Sequence, residues 1–438
     1  MLGKYFKTCI NFLIIASGDS KNISYKLFKS KVMKSVLLTF IACFCCLSLI
    51  AQHGFPEGHW CNTSEGWGTK RCRALWGMKN DEKHKVITIP HRGVWGAPDV
   101  PESCLRSVQE AYEQGYMFVE IDVIMSHDRE LVLCHDQQSN RMTSLPHTFS
   151  ADGSLYDNGS FFRSLNWNST TDHSVPDVMG YSYPSFPPLK DSHYVDRYGT
   201  MTEHSLNTLN DIFDWCKEKE IVLMLDIKTG SLKDQIIKSE YLEAIGLCLK
   251  AAEKAGFLHN VIFKPGSAGQ VTIDELKTYL VKIGQWENFS KKTNVVLINI
   301  IGGSFPLATD KSYLDGWMGL ESLIGIEHIY KTLGDELLQP KSEFGNKSII
   351  EYTQNKGFRT GVFHPIPTDE RGAPGGRGNY FNPANFQITD IRGSLEFLFS
   401  VPENVFPGMI VTDRPDEDMN FLRLFDLSSK YTKQNGEY

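Results

Sequence analysis

The chain has 438 residues, 41% of them hydrophobic and 22% charged, a balance that excludes a disordered or low-complexity protein and supplies apolar material for one large core. A net charge of -7 and a pI near 6.0 give no general electrostatic reason to bind nucleic acid or an anionic membrane surface, so any affinity for phosphate must come from a local site. Length alone allows two or three domains, but an α/β barrel with insertions reaches this size as a single unit.

In chain order, residues 1–51 are an upstream segment and signal peptide, with Met33 as a candidate start. Lys34 is a short basic region, residues 36–50 are apolar, and small residues mark a cleavage site near Ala51. The apolar run falls short of the roughly 20 residues that span a bilayer. The expected location is therefore secreted or periplasmic. A lipoprotein anchored at Cys43 is the alternative, and only in that case is membrane association expected.

Four of the ten cysteines lie upstream of the cleavage, and the remaining six (Cys61, Cys72, Cys104, Cys134, Cys216 and Cys248) suit an oxidising compartment. Cys61 and Cys72 lie in an irregular N-terminal extension, 52–85, where they could close a local loop. The other four fall inside strand or helix patterns and read as free, buried cysteines. Trp60, Trp67 and Trp76 read as packing residues of the extension. No Cys/His spacing suggests zinc.

From about residue 86 short apolar runs alternate with amphipathic stretches, the signature of βα units and a parallel sheet. Strands are expected over 86–91, 118–124, 131–134, 221–227, 260–264, 295–301, 359–363 and 409–412. Helices are expected over 103–115, 204–219, 235–255, 272–282, 347–356 and 391–399. Eight runs suggest a closed (β/α)8 TIM-like barrel over 86–425, although a further apolar run, 323–330, blurs the count. A polar insertion, 137–203, follows the third strand, and a Gly- and Arg-rich stretch lies within 364–390. The polar tail, 426–438, reads as frayed.

Chemistry-bearing residues collect at strand ends. Ile87-Thr88-Ile89-Pro90-His91-Arg92-Gly93 delivers a His and an Arg, and then a Gly suited to a sharp turn. Glu120 and Asp122 sit two apart on the next strand and so share one face. Burying two carboxylates side by side is costly unless a cation neutralises them, and a hard cation with oxygen ligands is the economical partner. The third run ends in His135-Asp136, and the fourth places Asp226 and Lys228 on one face. In a parallel barrel these ends converge on one mouth. Two His, three acids, an Arg and a Lys suit phosphodiester cleavage. Cations stabilise the phosphoryl oxygens, one His activates the nucleophile and the other protonates the leaving alcohol.

His91-Arg92-Gly93, Pro101-Glu102-Ser103, Glu120-x-Asp122, His135-Asp136 with Arg141-Met142-Thr143, Asp226-x-Lys228 and Val411-Thr412-Asp413-Arg414-Pro415 resemble the glycerophosphodiester phosphodiesterase family, in order, over residues 86 to 420. The resemblance implies a barrel, one divalent cation, Mg or Ca, and hydrolysis of a glycerophosphodiester to glycerol 3-phosphate and an alcohol. It implies His91 and His135 as the acid/base residues and Glu120, Asp122 and the strand-four acid, Asp226, as metal ligands, with Arg92 and Lys228 on the phosphate. The chain departs from the family in having Asp226 where Glu is usual and Ser103-Cys104 where Asn-Thr is usual. It also lacks the usual Trp-Thr-x-Asn after strand seven, which leaves leaving-group recognition open. The Asp-x-Lys pair is also similar to the sphingomyelinase D group, whose members form cyclic phosphates. A phospholipid-directed enzyme of that type is the alternative, with Tyr181, Tyr183 and Phe186 of the insertion as candidate lipid contacts. A non-catalytic binder of phosphodiesters or glycans is the third reading. The expected partner is a small glycerophosphodiester or lipid-derived substrate.

Overall fold

The computed structural model describes residues 55–80, 85–137, 142–145, 148–149, 155–156, 162–171, 186–196, 199–229, 235–265, 271–300, 310–330, 334–364, 380–382, 387–390 and 406–434. The expected signal segment, Arg141, Tyr181, Tyr183, the 371–378 stretch and the helix expected over 391–399 lie outside these residues.

The elements that build the frame are α1 (Lys70–Asn80), β1 (Ile87–Pro90), α2 (Leu105–Glu113), β2 (Phe118–Met125), β3 (Leu131–Leu133), α3 (Leu209–Cys216), β4 (Val222–Ile227), α4 (Gln235–Lys254), β5 (Val261–Phe263), α5 (Ile273–Lys282), β6 (Asn294–Ile300), α6 (Lys311–Met318), β7 (Leu323–Ile329), α7 (Ile349–Asn355), β8 (Arg359–His364), β9 (Met409–Thr412) and α8 (Pro415–Leu424). Helix starts follow local chemistry. Thr208 with Asp211 and Thr272 with Glu275 form reciprocal capping boxes at α3 and α5, each satisfying backbone N–H groups that the first helical turn leaves open.

Eight parallel strands run in the order β1-β9-β8-β7-β6-β5-β4-β2, a (β/α)8 TIM-like barrel. At the mouth, β1 and β2 meet where Gly93 N–H donates to the Glu120 carbonyl at 3.0 Å. The expected third barrel strand is not one of the eight. Residues 131–133 pair antiparallel with the end of β2, because only residues 126–130 separate the two, and a parallel crossover needs roughly a dozen or more. The run that blurred the count, Leu323–Ile329, is a barrel strand between β6 and β8.

Inside the barrel, side chains stack in two layers. The lower layer is apolar: Ile87, Ile89, Val222, Met224, Ile262, Val296, Ile324, Met409 and Val411 cluster with Phe55, Cys61, Cys72, Leu75 and Met78 of the extension. The extension thus plugs the N-terminal end of the barrel. Trp67 and Trp76 meet edge to face, and Trp60 packs on His259, in keeping with a packing role. Arg359, 2% exposed, pins the plug by donating to the carbonyls of Gly77, Met78, Lys85 and Gly408. Outward-facing residues such as Val119, Ile121, Leu223, Leu225 and Phe263 build the main core against the helices.

Cys61 and Cys72 form a disulfide, and Cys104, Cys134, Cys216 and Cys248 are free and buried. Since the bridge ties the plug to itself, the Cys61→Ser/Cys72→Ser variant is expected to lose about 2–4 kcal/mol of stability. Urea unfolding measures this, and an unchanged midpoint would show that the plug is not coupled to the barrel.

The insertion carries its own small core, in which Met142, Leu145, Phe162, Leu165, Phe186, Leu189 and Tyr194 pack on Ile124, Val132 and Cys134. Phe186 is a packing residue here, fully buried. The described part of the tail, 426–434, is held rather than frayed. Ser428 bridges Val86 and Lys433 bridges Tyr116, while the Thr432 hydroxyl accepts from Thr88 N–H at 3.3 Å. An edge residue's unpaired backbone groups explain the capture of a polar segment.

Candidate active site

Above the apolar layer the interior becomes charged. His91 follows β1, 6% exposed, with Nδ1 2.6 Å from Asp413 Oδ1 and its ring against Phe363. Burial, then Arg92, pushes its pKa well below 6.5. A neutral imidazole donating Nδ1–H to Asp413 leaves the Nε2 lone pair facing the mouth, 3.9 Å from Glu120 Oε2. Arg92 and Gly93 both have left-handed backbone, φ 61° and 81°. This turn aims Arg92 N–H at Glu120 Oε2, 3.0 Å away. A Cβ at Gly93 would lie 2.5 Å from Ser107 Oγ, so only glycine fits.

The parallel register sets Asp122 directly beside Asp226. Among the described residues, Glu120, Asp122 and Asp226 offer carboxylate oxygens within 4.8 Å of one another. All three are buried. Lys228 Nζ spans Asp122 Oδ1 at 3.0 Å and Asp226 Oδ2 at 2.6 Å. Asp122 Oδ2 accepts from Ser103 Oγ at 2.8 Å and lies 3.2 Å from Arg92 Nε, and Arg92 Nη1 donates to Glu102 at 2.7 Å. Burial raises the Asp122 pKa, but Lys228, His135 and Arg92 outweigh it and hold the group well below 3.8. Glu120 goes the other way, pushed by burial up to about 7 despite Lys264. The carboxylates hold Lys228 and Lys264 charged, above the ordinary lysine range, against their own burial.

His135 sits at the start of the loop after β3, about a third exposed, with Nδ1 2.7 Å from Asp136 Oδ1. Burial and Arg92 lower its pKa. The two imidazoles are therefore both backed by carboxylates, but one is enclosed and the other open. Of the two cations expected on phosphate, Lys228 is 19% exposed at its side chain and Arg92 only 3%, so Lys228 is the more accessible.

All seven expected site residues meet at this mouth. Three participants were given no role in the sequence reading: Asp413, which was seen only as part of a motif, Lys264 and Glu327. Lys264 Nζ lies 3.2 Å from Glu120 Oε1 and 3.1 Å from Glu327 Oε2. Asp413 and Lys264 follow strands β9 and β5, where a strand-end rule applied throughout would have found them. Glu327 was hidden by a break in alternation. The β6–β7 register shifts from Val295↔Leu323 to Val296↔Gly325, and this extra residue turns Glu327 inward while Leu323 and Ile326 face the outer core, a known use of bulges near sites.

A divalent cation fits this donor set. Five buried carboxylates (Glu102, Glu120, Asp122, Asp226 and Glu327) face three cations (Arg92, Lys228 and Lys264), leaving two negative charges. Asp226 Oδ1 is buried with no hydrogen-bond partner among the described residues, where such oxygens ordinarily find one. Hard oxygen ligands suit Mg or Ca.

Imidazoles facing an acidic pocket bridged by Arg and Lys on a (β/α)8 barrel define a class, the barrel phosphodiesterases. Residues 91–298 match the model of the Glycerophosphoryl diester phosphodiesterase family. The glycerophosphodiester phosphodiesterase of Bacillus subtilis (strain 168) is 25% identical over 231 residues, 50% of this chain and 74% of that protein. Glycerophosphodiester phosphodiesterase 1 of Homo sapiens is 36% identical over 72 residues, 16% of this chain and 20% of that protein. A solved structure from Silicibacter pomeroyi, assigned as a glycerophosphoryl diester phosphodiesterase, shares the fold with a TM-score of 0.51 at 13% identity, covering 82% of this chain and 99% of that one. Residues 91–298 are thus similar to the glycerophosphodiester phosphodiesterase family.

Proposed function

We propose that the protein hydrolyses glycerophosphodiesters to glycerol 3-phosphate and an alcohol, with His91 and His135 as the acid/base pair. The observation that carries this reading is the meeting of two carboxylate-backed imidazoles, one enclosed and one open, over the same acidic pocket. His91, neutral and oriented by Asp413, takes the proton from the nucleophile at Nε2. His135, nearer solvent, takes up a proton from water and gives it to the departing alkoxide. Lys228 and Arg92 hold the phosphoryl oxygens and orient the ester. Glu120, Asp122 and Asp226 hold the divalent cation, which when bound neutralises charge developing on phosphate.

The Cys61–Cys72 disulfide supports a secreted or periplasmic location, where such bonds persist. Among the described residues no helix is long and apolar enough to cross a membrane.

Phosphorus NMR of glycerophosphocholine turnover tests the reaction. Glycerol 3-phosphate is expected, with turnover lost in chelator and restored by Mg or Ca. A lasting cyclic phosphate would favour the sphingomyelinase D-like alternative. No metal-dependent turnover of any glycerophosphodiester would leave only a binding barrel.

A further inference from the structure

We propose that Lys264, held by Glu327, restricts Glu120 to a single ligand oxygen and thereby makes the metal site selective for Mg over Ca. The inference rests on the metal-binding reading above and deepens it. Each acid of the triad already has one oxygen facing an internal cation: Glu120 Oε1 faces Lys264 at 3.2 Å, Asp122 Oδ1 faces Lys228 at 3.0 Å, and Asp226 Oδ2 faces Lys228 at 2.6 Å. Glu120 Oε2 accepts from Arg92 N–H and Asp226 Oδ1 has no hydrogen-bond partner among the described residues, so neither faces a lysine, while Asp122 Oδ2 is shared with Ser103 and Arg92. Bidentate ligation by any of the three requires a lysine to leave.

The two lysines differ in how firmly they are held. Lys228 is partly exposed, whereas Lys264 is 3% exposed and clamped between two buried carboxylates from β2 and β7. Ca takes six to eight oxygens and favours bidentate carboxylates, whereas Mg takes six near-octahedral ligands, keeps several waters and is content with single carboxylate oxygens plus substrate phosphate. A triad confined to single oxygens therefore matches Mg. The bulge that turns Glu327 inward supplies the clamp.

The test removes the Lys264–Glu327 pair without changing net charge, as Lys264→Met/Glu327→Gln in the full chain. Isothermal titration calorimetry with Mg alone and Ca alone, without substrate, reads the two dissociation constants. Wild type is expected to bind Mg more tightly than Ca, and the double variant to shift that ratio toward Ca by about tenfold or more as Glu120 Oε1 becomes available. Glu327→Gln alone unclamps Lys264 without removing it, so a smaller shift of the ratio toward Ca is expected. This variant also serves if the double variant does not fold. A wild-type preference for Ca, or an unchanged ratio in either folded variant, overturns the proposal. If wild type binds neither ion, the metal-binding reading itself fails and takes this inference with it, an outcome separable from the others.

Discussion

Replacing His91 with alanine is expected to lower kcat on glycerophosphocholine by about 10²- to 10⁴-fold, the range typical of losing a positioned acid or base. His135→Ala falls in the same range, but the two variants should part company when the leaving group is changed. A leaving alcohol of low pKa departs without a proton. If His135 is the acid, an aryl phosphodiester restores much of the activity of His135→Ala and little of that of His91→Ala. Asp413 acts through His91, which it touches at 2.6 Å, so it is a positioning residue. Asp413→Asn keeps the shape but removes the charge that selects the Nδ1–H tautomer. It is expected to lower kcat and move the pH profile of kcat/KM, a readout that a merely structural role would leave in place. Full activity in either His variant on the choline ester would sink the assignment.

Glu120→Gln should abolish the response to divalent metal. A metal present at about 100 times its dissociation constant adds roughly 2.7 kcal/mol of stability to the wild-type protein, seen as a rise in Tm. The isosteric amide exchanges one of the three carboxylate ligands for a weaker neutral one and removes one of the charges that draw the ion in. Both the Tm rise and turnover are expected to disappear. pH offers an independent check. Burial moves Glu120 from 4.5 up to about 7, so the folded protein binds this proton more tightly than the unfolded chain. In the apo protein, the Glu120 contribution to stability is greatest below about 4.5 and declines as pH rises toward about 7. Metal affinity rises over the same window, because only the carboxylate ligates. The difference in apo stability between wild type and Glu120→Gln isolates this group. A pH-independent difference, or a metal-induced Tm rise that survives the substitution, would count against Glu120 as a ligand.

Much of the site was legible because it uses rules local to a strand. Alternation places Glu120 with Asp122, and Asp226 with Lys228, on common faces, and an apolar run ending in His91-Arg92-Gly93 delivers its polar residues at a mouth. Asp226, the departure that left a ligand in doubt, is brought beside Asp122 by register, so strand pairing rather than side-chain length sets its reach. The chain reading erred where pairing partners matter. Leu131–Leu133 has the composition of a barrel strand, yet the short link to β2 forces it antiparallel, and Leu323–Ile329 takes the remaining place.

The amino-acid sequence by itself thus determined the barrel class and placed the two imidazoles and the three acids at strand ends, since each placement rests on periodicity and on the cost of burying charge. Their expected roles came from the family resemblance. Only the tertiary structure decided that Asp413 backs His91 across 322 positions, that the extension plugs the barrel floor, and that a bulge turns Glu327 onto Lys264. The physical reason is common to all three. They depend on which distant strands become neighbours and in what register, and one shifted residue moves a side chain to the other face of the sheet.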